Sequence, residues 1–393
     1  MFRAGLLIVG VAACGFEVQG TSPDASVDAA LDAPVVDTLI DASAPTCVAL
    51  EVAAGGEHTC ARTEDGSVHC WGRGAYGELG STQLQHRCTV AGISYYCSPT
   101  PVPVQLPEAS SLGLGSYHSC ATTASGTYCW GANLHGAYGD GTTAGQSTPR
   151  LIPERTGATR IEGGAYHTCS LAGSTVACSG QNAAGEIGDN SQVAQPTSTP
   201  VMSDAVALAL GEYTTCGINT QQQLVCWGRN TQGQIDTGLR NKLTPYVIPG
   251  LAGVVHAASG RDFTCAVLGD ETARCWGSNA YGQLGNGTTS QFVQPPQAVQ
   301  VPNLVAISAE RYHACALTEA GGVHCFGEGY GAEPVAIALP RPARSITSGS
   351  AHDCAITEDG RAYCWGNQEF GQLGDGSDHP GRTLTPRLVP LCE

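Results

Sequence analysis

The chain has 393 residues, a formal net charge of −16 and a single lysine, Lys242. Because neutralisation of phosphates by Lys and Arg dominates nucleic-acid affinity, this charge argues against a nucleic-acid partner. Only 13% of the residues are charged and 6% are aromatic, whereas glycine occurs 52 times. Such a composition favours short strands joined by tight turns over helices, which glycine weakens.

The N-terminus resembles an export signal that ends in a lipid-attachment cysteine. Its apolar run, Leu6 to Val9, is too short to span a bilayer. The next segment, Val11-Ala12-Ala13-Cys14, is similar to the lipobox of bacterial lipoproteins, in which cleavage before the cysteine precedes acylation. The resemblance implies a signal peptide over 1–13 and a lipid on Cys14; the alternative is an ordinary secretory signal cleaved near Ala13. Because residue 15 is not Asp, lipoprotein sorting implies an outer-membrane or cell-surface location.

Residues 14–46 have the composition of a linker. They contain five aspartates among Ala, Ser, Pro and Thr and no basic residue, so they repel one another and cannot bury a core. The spacing of the aspartates also fits a calcium loop, but the tight Gly turn that such loops require is absent. The sequence therefore predicts a disordered stalk.

One repeat runs from residue 47 to the end of the chain and defines a single domain, 47–393. In its clearest copy, residues 53–72, two short strands flank Asp65-Gly66, which is a strong hairpin signal. Two cysteines lie symmetrically about this turn, and a cysteine pair nine or ten residues apart occurs at this place in all seven copies. Self-similarity of this kind indicates a repeat architecture.

The paired cysteines should face each other across their hairpins. Opposed residues of antiparallel strands lie about 4.5 to 5.5 Å apart at Cα, which is within reach of a disulfide. Zinc is the alternative, but the short Cys-x2-4-Cys spacing of zinc knuckles does not occur. Nineteen cysteines also indicate an oxidising compartment outside the cytoplasm. The predicted repeat disulfides are Cys60–Cys70, Cys120–Cys129, Cys169–Cys178, Cys216–Cys226, Cys265–Cys275, Cys315–Cys325 and Cys354–Cys364.

Two further phrases recur. Five of the seven copies continue from the second cysteine into Trp-Gly, and Tyr281-Gly282-Gln283-Leu284-Gly285 returns as Phe370-Gly371-Gln372-Leu373-Gly374. With Gly-x-x-His-(Thr/Ser) before the first cysteine, the chain resembles the regulator-of-chromosome-condensation repeat over residues 47–393. The resemblance implies an all-β, seven-bladed propeller of four-stranded sheets. Ser179 and Phe326 replace the tryptophan in the third and sixth copies, and the sixth copy lacks the Gly-Gln-Leu-Gly phrase.

Four cysteines lie outside the repeat positions. Cys88 and Cys97 are expected to staple an insertion in the first copy, residues 81–100. Alignment of the last segment with residues 244–249 places the two chain ends side by side in the same blade, and predicts a Cys47–Cys392 bond that seals the ring. Closure of so long a loop constrains the unfolded chain most.

Histidines and tryptophans recur at fixed repeat positions. Equivalent atoms on separate blades do not converge on one ion, so we expect structural histidines, each bonded within its own turn, rather than a metal site. The tryptophans are expected to pack between blades rather than to stack on a ligand. These residues are His58, His118, His167, His313 and His352, and Trp71, Trp130, Trp227, Trp276 and Trp365.

The positions just before each repeat cysteine vary between copies. They are rich in Tyr and Arg, the residues that dominate protein interfaces, and we predict that they form a partner-binding rim; the alternative is local packing of the rings. The predicted rim residues are Glu57, Tyr117, Tyr166, Glu212, Tyr213, Arg261, Asp262, Arg311 and Tyr312. The insertion 81–100, with Tyr95 and Tyr96, is a second candidate.

No Gly-x-Ser-x-Gly elbow, phosphate loop or His-Glu-x-x-His stretch occurs, so no catalytic residue, metal or cofactor is predicted. The sequence favours a monomeric, non-enzymatic module that is tethered to the membrane only by its lipid and presents one propeller face to a protein or envelope glycan. An alternative is an extracytoplasmic hydrolase or lyase that uses Glu57, Glu212 and Asp262 at the propeller mouth. A purely structural envelope component is a third possibility.

Overall fold

The computed structural model describes residues 47–84, 86–377 and 380–391. In these residues 29 strands form seven antiparallel sheets, and the one helical segment is a 3-10 turn at Pro153–Arg155. None of the described helical structure is long and apolar enough to cross a bilayer. The predicted all-β, seven-bladed propeller is confirmed, whereas the lipid anchor on Cys14 and the stalk 14–46 fall outside the described residues.

Each blade is built from consecutive strands, which we call A to D from the innermost strand outwards; blade 1 has one extra strand, β4, beside its strand D. The strands of blades 1 to 3 are β1 (Ala49–Ala54), β2 (His58–Thr63), β3 (Val68–Arg73), β4 (Arg87–Val90) and β5 (Ile93–Val104); β6 (Ala109–Leu114), β7 (His118–Thr123), β8 (Gly126–Gly131) and β9 (Gln146–Ile152); β10 (Arg160–Gly163), β11 (His167–Ala172), β12 (Thr175–Gly180) and β13 (Gln195–Met202). The strands of blades 4 to 7 are β14 (Ala205–Leu210), β15 (Thr214–Asn219), β16 (Leu224–Gly228) and β17 (Lys242–Val247); β18 (Val254–Ser259), β19 (Phe263–Leu268), β20 (Ala273–Asn279) and β21 (Ser290–Ala298); β22 (Leu304–Glu310), β23 (His313–Thr318), β24 (Val323–Gly327) and β25 (Gly331–Ile337); β26 (Ala343–Ser348), β27 (His352–Thr357), β28 (Ala362–Asn367) and β29 (Arg382–Leu388).

The hairpin between strands B and C forms as its residues predict. In blade 1 the Asp65 carboxylate accepts hydrogen bonds from the Thr63 hydroxyl at 2.6 Å and from the Ser67 backbone N–H at 3.0 Å. Gly66 follows with φ +79°, a conformation that glycine adopts without strain. These contacts fix the register that brings Cys60 directly opposite Cys70.

Eight of the nine predicted disulfides are confirmed. Each of the seven repeat disulfides joins strands B and C of one blade, with its Cα atoms 4.0 to 4.1 Å apart. Cys88–Cys97 joins β4 to β5 at a Cα distance of 5.9 Å. Cys47 is disulfide-bonded, but Cys392 lies outside the described residues, so the Cys47–Cys392 pairing stays a prediction.

The repeated histidine connects neighbouring blades, so the prediction that it bonds within its own turn is wrong. At the junction of blades 1 and 2, Ser119 Oγ donates to the Glu78 carbonyl at 2.9 Å and lies 2.8 Å from His58 Nε2. Since the Ser119 hydrogen is committed to the carbonyl, the histidine must donate. The Trp130 indole N–H donates to the same carbonyl at 2.7 Å. The fold places the hydroxyl-bearing strand of the next blade beside the histidine, a contact that repeat spacing alone does not reveal.

Burial keeps four of the repeated histidines neutral. It lowers the pKa of His58 and His167 to about 3 and that of His118 and His352 to about 4. All five tryptophans are fully buried between blades, which confirms that they belong to the core.

The seam between blades 7 and 1 repeats the contacts of the continuous junctions. His352 Nε2 lies 2.7 Å from Thr59 Oγ1, and the Trp71 indole N–H donates to the Gln372 carbonyl at 2.9 Å. The first described strand, β1, lies in blade 1 and the last, β29, lies in blade 7. The prediction that the two chain ends share a blade is therefore wrong: among the described residues no strand is exchanged between blades 7 and 1, and the first and last strands lie on neighbouring blades.

In blade 3 a buried arginine takes the place of the missing tryptophan. Arg155 donates hydrogen bonds to Ser179 Oγ at 2.5 Å, Ser170 Oγ at 2.8 Å and the Tyr138 carbonyl at 2.9 Å. Burial lowers its pKa to about 10, so the guanidinium remains charged at neutral pH. Neutral hydroxyl and carbonyl groups rather than a carboxylate satisfy it.

Candidate functional site

The A–B loops of all seven blades converge on one mouth of the central channel. They enclose a cavity of about 150 Å³ lined by Gly56, Glu57, Ser116, Tyr117, Ala165, Tyr166, Glu212, Tyr213, Arg261, Arg311 and Ser350. We call these A–B loop residues, together with Asp262 and Tyr312, the rim. The structure thus brings the predicted rim residues together, with Asp262 and Tyr312 next to Arg261 behind the cavity wall.

Backbone hydrogen bonds join the A–B loops to one another. Ser116 N–H donates to the Gly164 carbonyl at 3.2 Å, and Ser350 N–H donates to the Gly56 carbonyl at 3.0 Å across the seam. A Cβ at Gly55 would lie 2.5 Å from the Gly115 carbonyl oxygen and from the His58 ring, so glycine is required where the blades approach most closely. The rim is therefore held by the ring itself rather than by the individual loops.

On blades 2 and 3 the rim is aromatic. The rings of Tyr117 and Tyr166 stack with centroids 5.0 Å apart and an interplanar angle of 22°. Tyr76 meets Tyr117 edge-on at 5.5 Å, and His135 meets Tyr166 edge-on at 5.3 Å. These contacts hold each ring in one orientation.

On blades 4 to 6 the rim alternates tyrosine and arginine. The Arg261 guanidinium lies 5.7 Å from the ring centroids of both Tyr213 and Tyr312. Arg229 lies 5.3 Å from the Tyr213 ring, and Tyr281 packs on Tyr312 at 5.0 Å. Cation–π contacts of this kind orient the arginines toward the mouth of the channel.

The three acidic residues proposed for catalysis are all engaged by arginine. Glu57 pairs with Arg73 at 2.5 Å, Glu212 lies 3.6 Å from the guanidinium of Arg261, and Asp262 lies 3.5 Å from that of Arg229. Burial raises the pKa of both Glu212 and Asp262 despite these neighbours. The contacts of all three carboxylates are with arginines, which they help to orient.

The insertion of blade 1 reaches the rim through one of its two tyrosines. Tyr95 meets Phe370 of blade 7 edge-on at 5.5 Å, and the Arg73 guanidinium lies 5.0 Å from the Tyr95 ring. Tyr96 is 44% exposed and lies under Arg87 instead. The two candidate surfaces predicted from sequence are thus joined in one face.

Sequence reasoning missed a set of residues around the rim, in the C–D loops and at the end of strand C of blade 1, which we call the outer ring. It consists of Arg73, Tyr76, His135, Arg229, Tyr281 and Phe370. The two arginines directly follow Trp-Gly, and the four aromatic residues directly precede the first glycine of the Gly-x-x-Gly phrase. The positions that precede each repeat cysteine stand out because they vary between copies. The same comparison at these two positions identifies the outer-ring residues.

Below the rim, the A strands line a channel of about 240 Å³ that contains three glutamates. Burial, together with repulsion by Glu51, raises the pKa of Glu162 to about 8. Burial also raises the pKa of Glu310, whereas Glu51 accepts a hydrogen bond from Arg62 at 3.2 Å. At neutral pH most of this acidity is therefore neutralised by protons or by arginine.

Potential metal ligands come together twice among the described residues, as His86–Cys88–Cys97 and as Cys315–Cys325–Asp353. In both groups the cysteines are joined in a disulfide. Each group therefore keeps one side chain able to bind a metal, fewer than a zinc site uses.

Comparison with known families gives a match to the regulator of chromosome condensation (RCC1) repeat. One profile of this repeat matches residues 65–122, 126–171, 223–267, 275–317 and 359–393, which make up more than half of the chain. A second profile with the same description matches residues 50–78, 205–234, 254–283 and 343–372.

Individual relatives match shorter stretches. Protein pim1 of Schizosaccharomyces pombe is 38% identical over 85 residues, 21% of this chain and 14% of that protein. The secretion-regulating guanine nucleotide exchange factor of Bos taurus is 32% identical over 109 residues, 25% of this chain and 23% of that protein. The matched segments thus span less than a quarter of these relatives. Yeast RCC1 (Prp20), solved bound to Kap60, superposes with a TM-score of 0.70 and 24% identity over 82% of this chain and 83% of that one, a likeness of fold.

Proposed function

Because this chain belongs to the RCC1 repeat family, we propose that it is a binding module that uses the rim and outer ring to hold a protein partner. One observation carries the proposal: tyrosines and arginines from different blades converge on one channel mouth and order one another there. Tyr and Arg are the residues that most often dominate binding energy at protein interfaces.

The face is also pre-organised for binding. Ordering a mobile side chain at an interface costs about 0.5–1.5 kcal/mol, and much of this cost is already met where rings stack and guanidiniums lie over rings. At the edge of the face, Tyr76 and Tyr281 remain 48% and 46% exposed, so a partner can still bury aromatic area there. A hydrolase or lyase is less well supported, since each of its proposed carboxylates is paired with an arginine.

Nucleotide exchange, which the name of the bovine relative describes, is not part of the proposal. That match covers only 25% of this chain. The chemistry of the rim supports binding in general and does not specify a GTPase.

We further propose that the protein is an exported lipoprotein, anchored through Cys14 at an outer membrane or cell surface. The lipobox-like segment before Cys14 and the buried repeat disulfides support this location, since disulfides persist in oxidising compartments. Labelling of cells with an alkyne-tagged fatty acid should mark the full chain and leave Cys14→Ala unmarked. Equal labelling of both would contradict the lipid anchor.

The binding role is tested by chemical crosslinking of the full chain in the cell envelope, followed by affinity purification. The variant changes Tyr117, Tyr166, Tyr213 and Tyr312 to alanine, and the matched control is Tyr363→Ala, a half-buried tyrosine on β28 away from the rim. We expect one saturable protein partner with the wild type and the control, and at least a tenfold lower yield with the rim variant.

Thermal unfolding of the three proteins shows whether the rim variant has kept its fold. With the fold intact, equal recovery from the rim variant and the wild type would contradict the proposal. If glycosidase treatment of the envelope abolished recovery, the partner would be a glycan rather than a protein.

A further inference from the structure

Blade 6 differs from the others on the face that carries the rim. Its C–D connection consists of residues 328–330 alone, whereas blades 5 and 7 use residues 280–289 and 368–381. The blade still has all four strands, β22 to β25, so only the loop is shortened. A cavity of about 300 Å³ opens between blades 6 and 7 on this side.

Two arginines from neighbouring blades contribute to the wall of this cavity. Arg311 comes from the A–B loop of blade 6, and Arg382 comes from the start of β29 in blade 7. Both are exposed, and neither forms a salt bridge to a described carboxylate. In a chain of net charge −16, two such guanidiniums beside one cavity form a local site of positive charge.

Arg382 is held in place by the shortened loop. Its guanidinium lies 4.7 Å from the centroid of the Tyr330 ring, and a Cβ at Gly329 would overlap it. Gly329 also has φ +81°, so both the space and the backbone conformation at this position favour glycine. The loop that leaves the cavity open therefore also positions one of its cations.

Beside the cavity lies a hydrogen-bonded cluster of Asp353, Tyr330 and His313, of which His313 also contributes to the lining. His313 Nε2 donates to one oxygen of Asp353 at 3.0 Å, and the Tyr330 hydroxyl donates to the other at 2.6 Å. Burial raises the pKa of Asp353, but His313 and these hydrogen bonds outweigh burial and lower it, so the carboxylate is ionised and occupied. It is not available to neutralise Arg311 or Arg382.

We propose that this cavity binds one carboxylate, the side chain of an Asp or Glu of the partner protein, between Arg311 and Arg382. Among the described lining residues, the charged groups are these two arginines and the exposed Glu328, which leaves an excess of one positive charge and matches a single carboxylate better than a phosphate dianion. Guanidinium and carboxylate are complementary in geometry as well as charge, and Asn367 adds a neutral hydrogen-bonding group. The inference rests on the proposed function, because Arg311 also belongs to the rim.

The site can be tested without the partner, by titrating the full chain with N-acetyl-glutamate methylamide and following the arginine Nε–H signals by NMR. The control ligand is N-acetyl-glutamine methylamide, which has the same shape and no charge. We expect saturable binding of the glutamate probe and at least tenfold weaker binding of the glutamine probe. Arg311→Gln and Arg382→Gln should each weaken the glutamate probe at least tenfold, whereas Arg240→Gln, an exposed arginine of blade 4, should have no effect.

Glu328→Gln provides a change in the opposite direction. Removing the one carboxylate of the lining should tighten the glutamate probe at least threefold, an effect that a damaged fold would not produce. Equal binding of the two probes, or unchanged affinity in Arg311→Gln and Glu328→Gln, would overturn the proposal, and tighter binding of inorganic phosphate than of the glutamate probe would overturn the choice of carboxylate. The probe titration contains no partner protein, so it can give a negative result while the rim variant still loses its partner. It can also give a positive result while the rim variant keeps its partner. Failure of the carboxylate site and failure of the proposed function are therefore distinguishable.

Discussion

The seam between blades 7 and 1 and the junction between blades 6 and 7 are two versions of one contact. At the seam, a neutral histidine, a threonine, a tryptophan and a loop carbonyl form the same hydrogen bonds as between blades 1 and 2. At the 6/7 junction the hydroxyl is replaced by Asp353, and the loop that carries the carbonyl elsewhere is shortened to residues 328–330. The Trp365 indole N–H has no acceptor among the described residues, as is also the case for the Trp276 indole N–H.

The comparison of these two junctions distinguishes the contacts that close the ring from those that form the proposed binding cavity. Blades 7 and 1 dock without exchanging a strand, and Ala49 N–H donates to the Gly360 carbonyl at 2.9 Å as Ala109 N–H does to Gly66 at 2.9 Å in a continuous junction. Where the repeat is intact, the junction is held by packing and by hydrogen bonds between neutral groups. Where the repeat is broken, between blades 6 and 7, the junction contains charged side chains and a cavity.

The largest effect is expected at the seam, if the predicted Cys47–Cys392 bond is removed by changing both residues to serine. A disulfide that closes most of the chain should contribute about 5 kcal/mol to the free energy of unfolding, measured by urea titration. Hydrogen exchange should show that β1 and β29 lose protection first, because the remaining contacts there are non-covalent. Uniform loosening across all seven blades would show that the bond does not act at the seam.

The next effect belongs to the 6/7 junction. Asp353→Ala should lower the free energy of unfolding by about 4 kcal/mol, because it leaves a buried histidine and a buried tyrosine hydroxyl without their common acceptor. Asp353→Thr, which introduces the residue found at the seam, should cost clearly less. Equal losses for the two variants would mean that the carboxylate has no specific role there.

The junction of blades 2 and 3 offers a third version of the contact. Arg155→Ala should destabilise the protein by about 3 kcal/mol, since it leaves a cavity and several unpaired hydroxyl and carbonyl groups. Restoring the repeat with Ser179→Trp should be harmful in the presence of Arg155 and less harmful in Arg155→Ala. A double-mutant cycle in thermal or urea unfolding measures this coupling, and strict additivity would contradict the idea that Arg155 fills the tryptophan site.

A smaller, pH-dependent effect follows from the neutral histidines. Burial lowers the pKa of His118 to about 4 from its ordinary 6.5. As the pH falls below 6.5, the unfolded chain therefore takes up a proton that the folded chain refuses, and stability that is complete above pH 6.5 is lost toward pH 4. His118→Gln should remove about 2 kcal/mol of the loss between pH 7 and pH 5. Parallel stability profiles for the variant and the wild type would contradict a buried, neutral His118.

Much of the fold was accessible from sequence because local signals repeat. The symmetric placement of Cys60 and Cys70 about Asp65-Gly66 fixed the hairpin register, and seven copies fixed the number of blades. The partner of His58 was not accessible, because Ser119 lies 61 positions away in the next blade. Arg155 was not accessible either, since its position lies outside the repeat phrases and only packing brings it to Ser179.

The rim could be predicted because its residues occupy one variable repeat position. The outer-ring residues occupy two other variable repeat positions. The cavity between blades 6 and 7 results from the shortness of the C–D loop of blade 6, that is, from residues that are missing rather than present. The absence of Gly-Gln-Leu-Gly in the sixth copy was visible in the sequence. The repeat pattern does not indicate that Arg382, from the next blade, lies over Tyr330 as a result.

The most direct test of the rim face is residue-specific photocrosslinking of the full chain in its own cells. A benzophenone amino acid is placed at Tyr281, which is 46% exposed in the outer ring, or at Val206, which is 56% exposed near the opposite end of its blade. We predict a discrete protein adduct from position 281 and none from position 206. An adduct from position 206 with none from position 281 would place the binding face on the opposite side and contradict the proposed function.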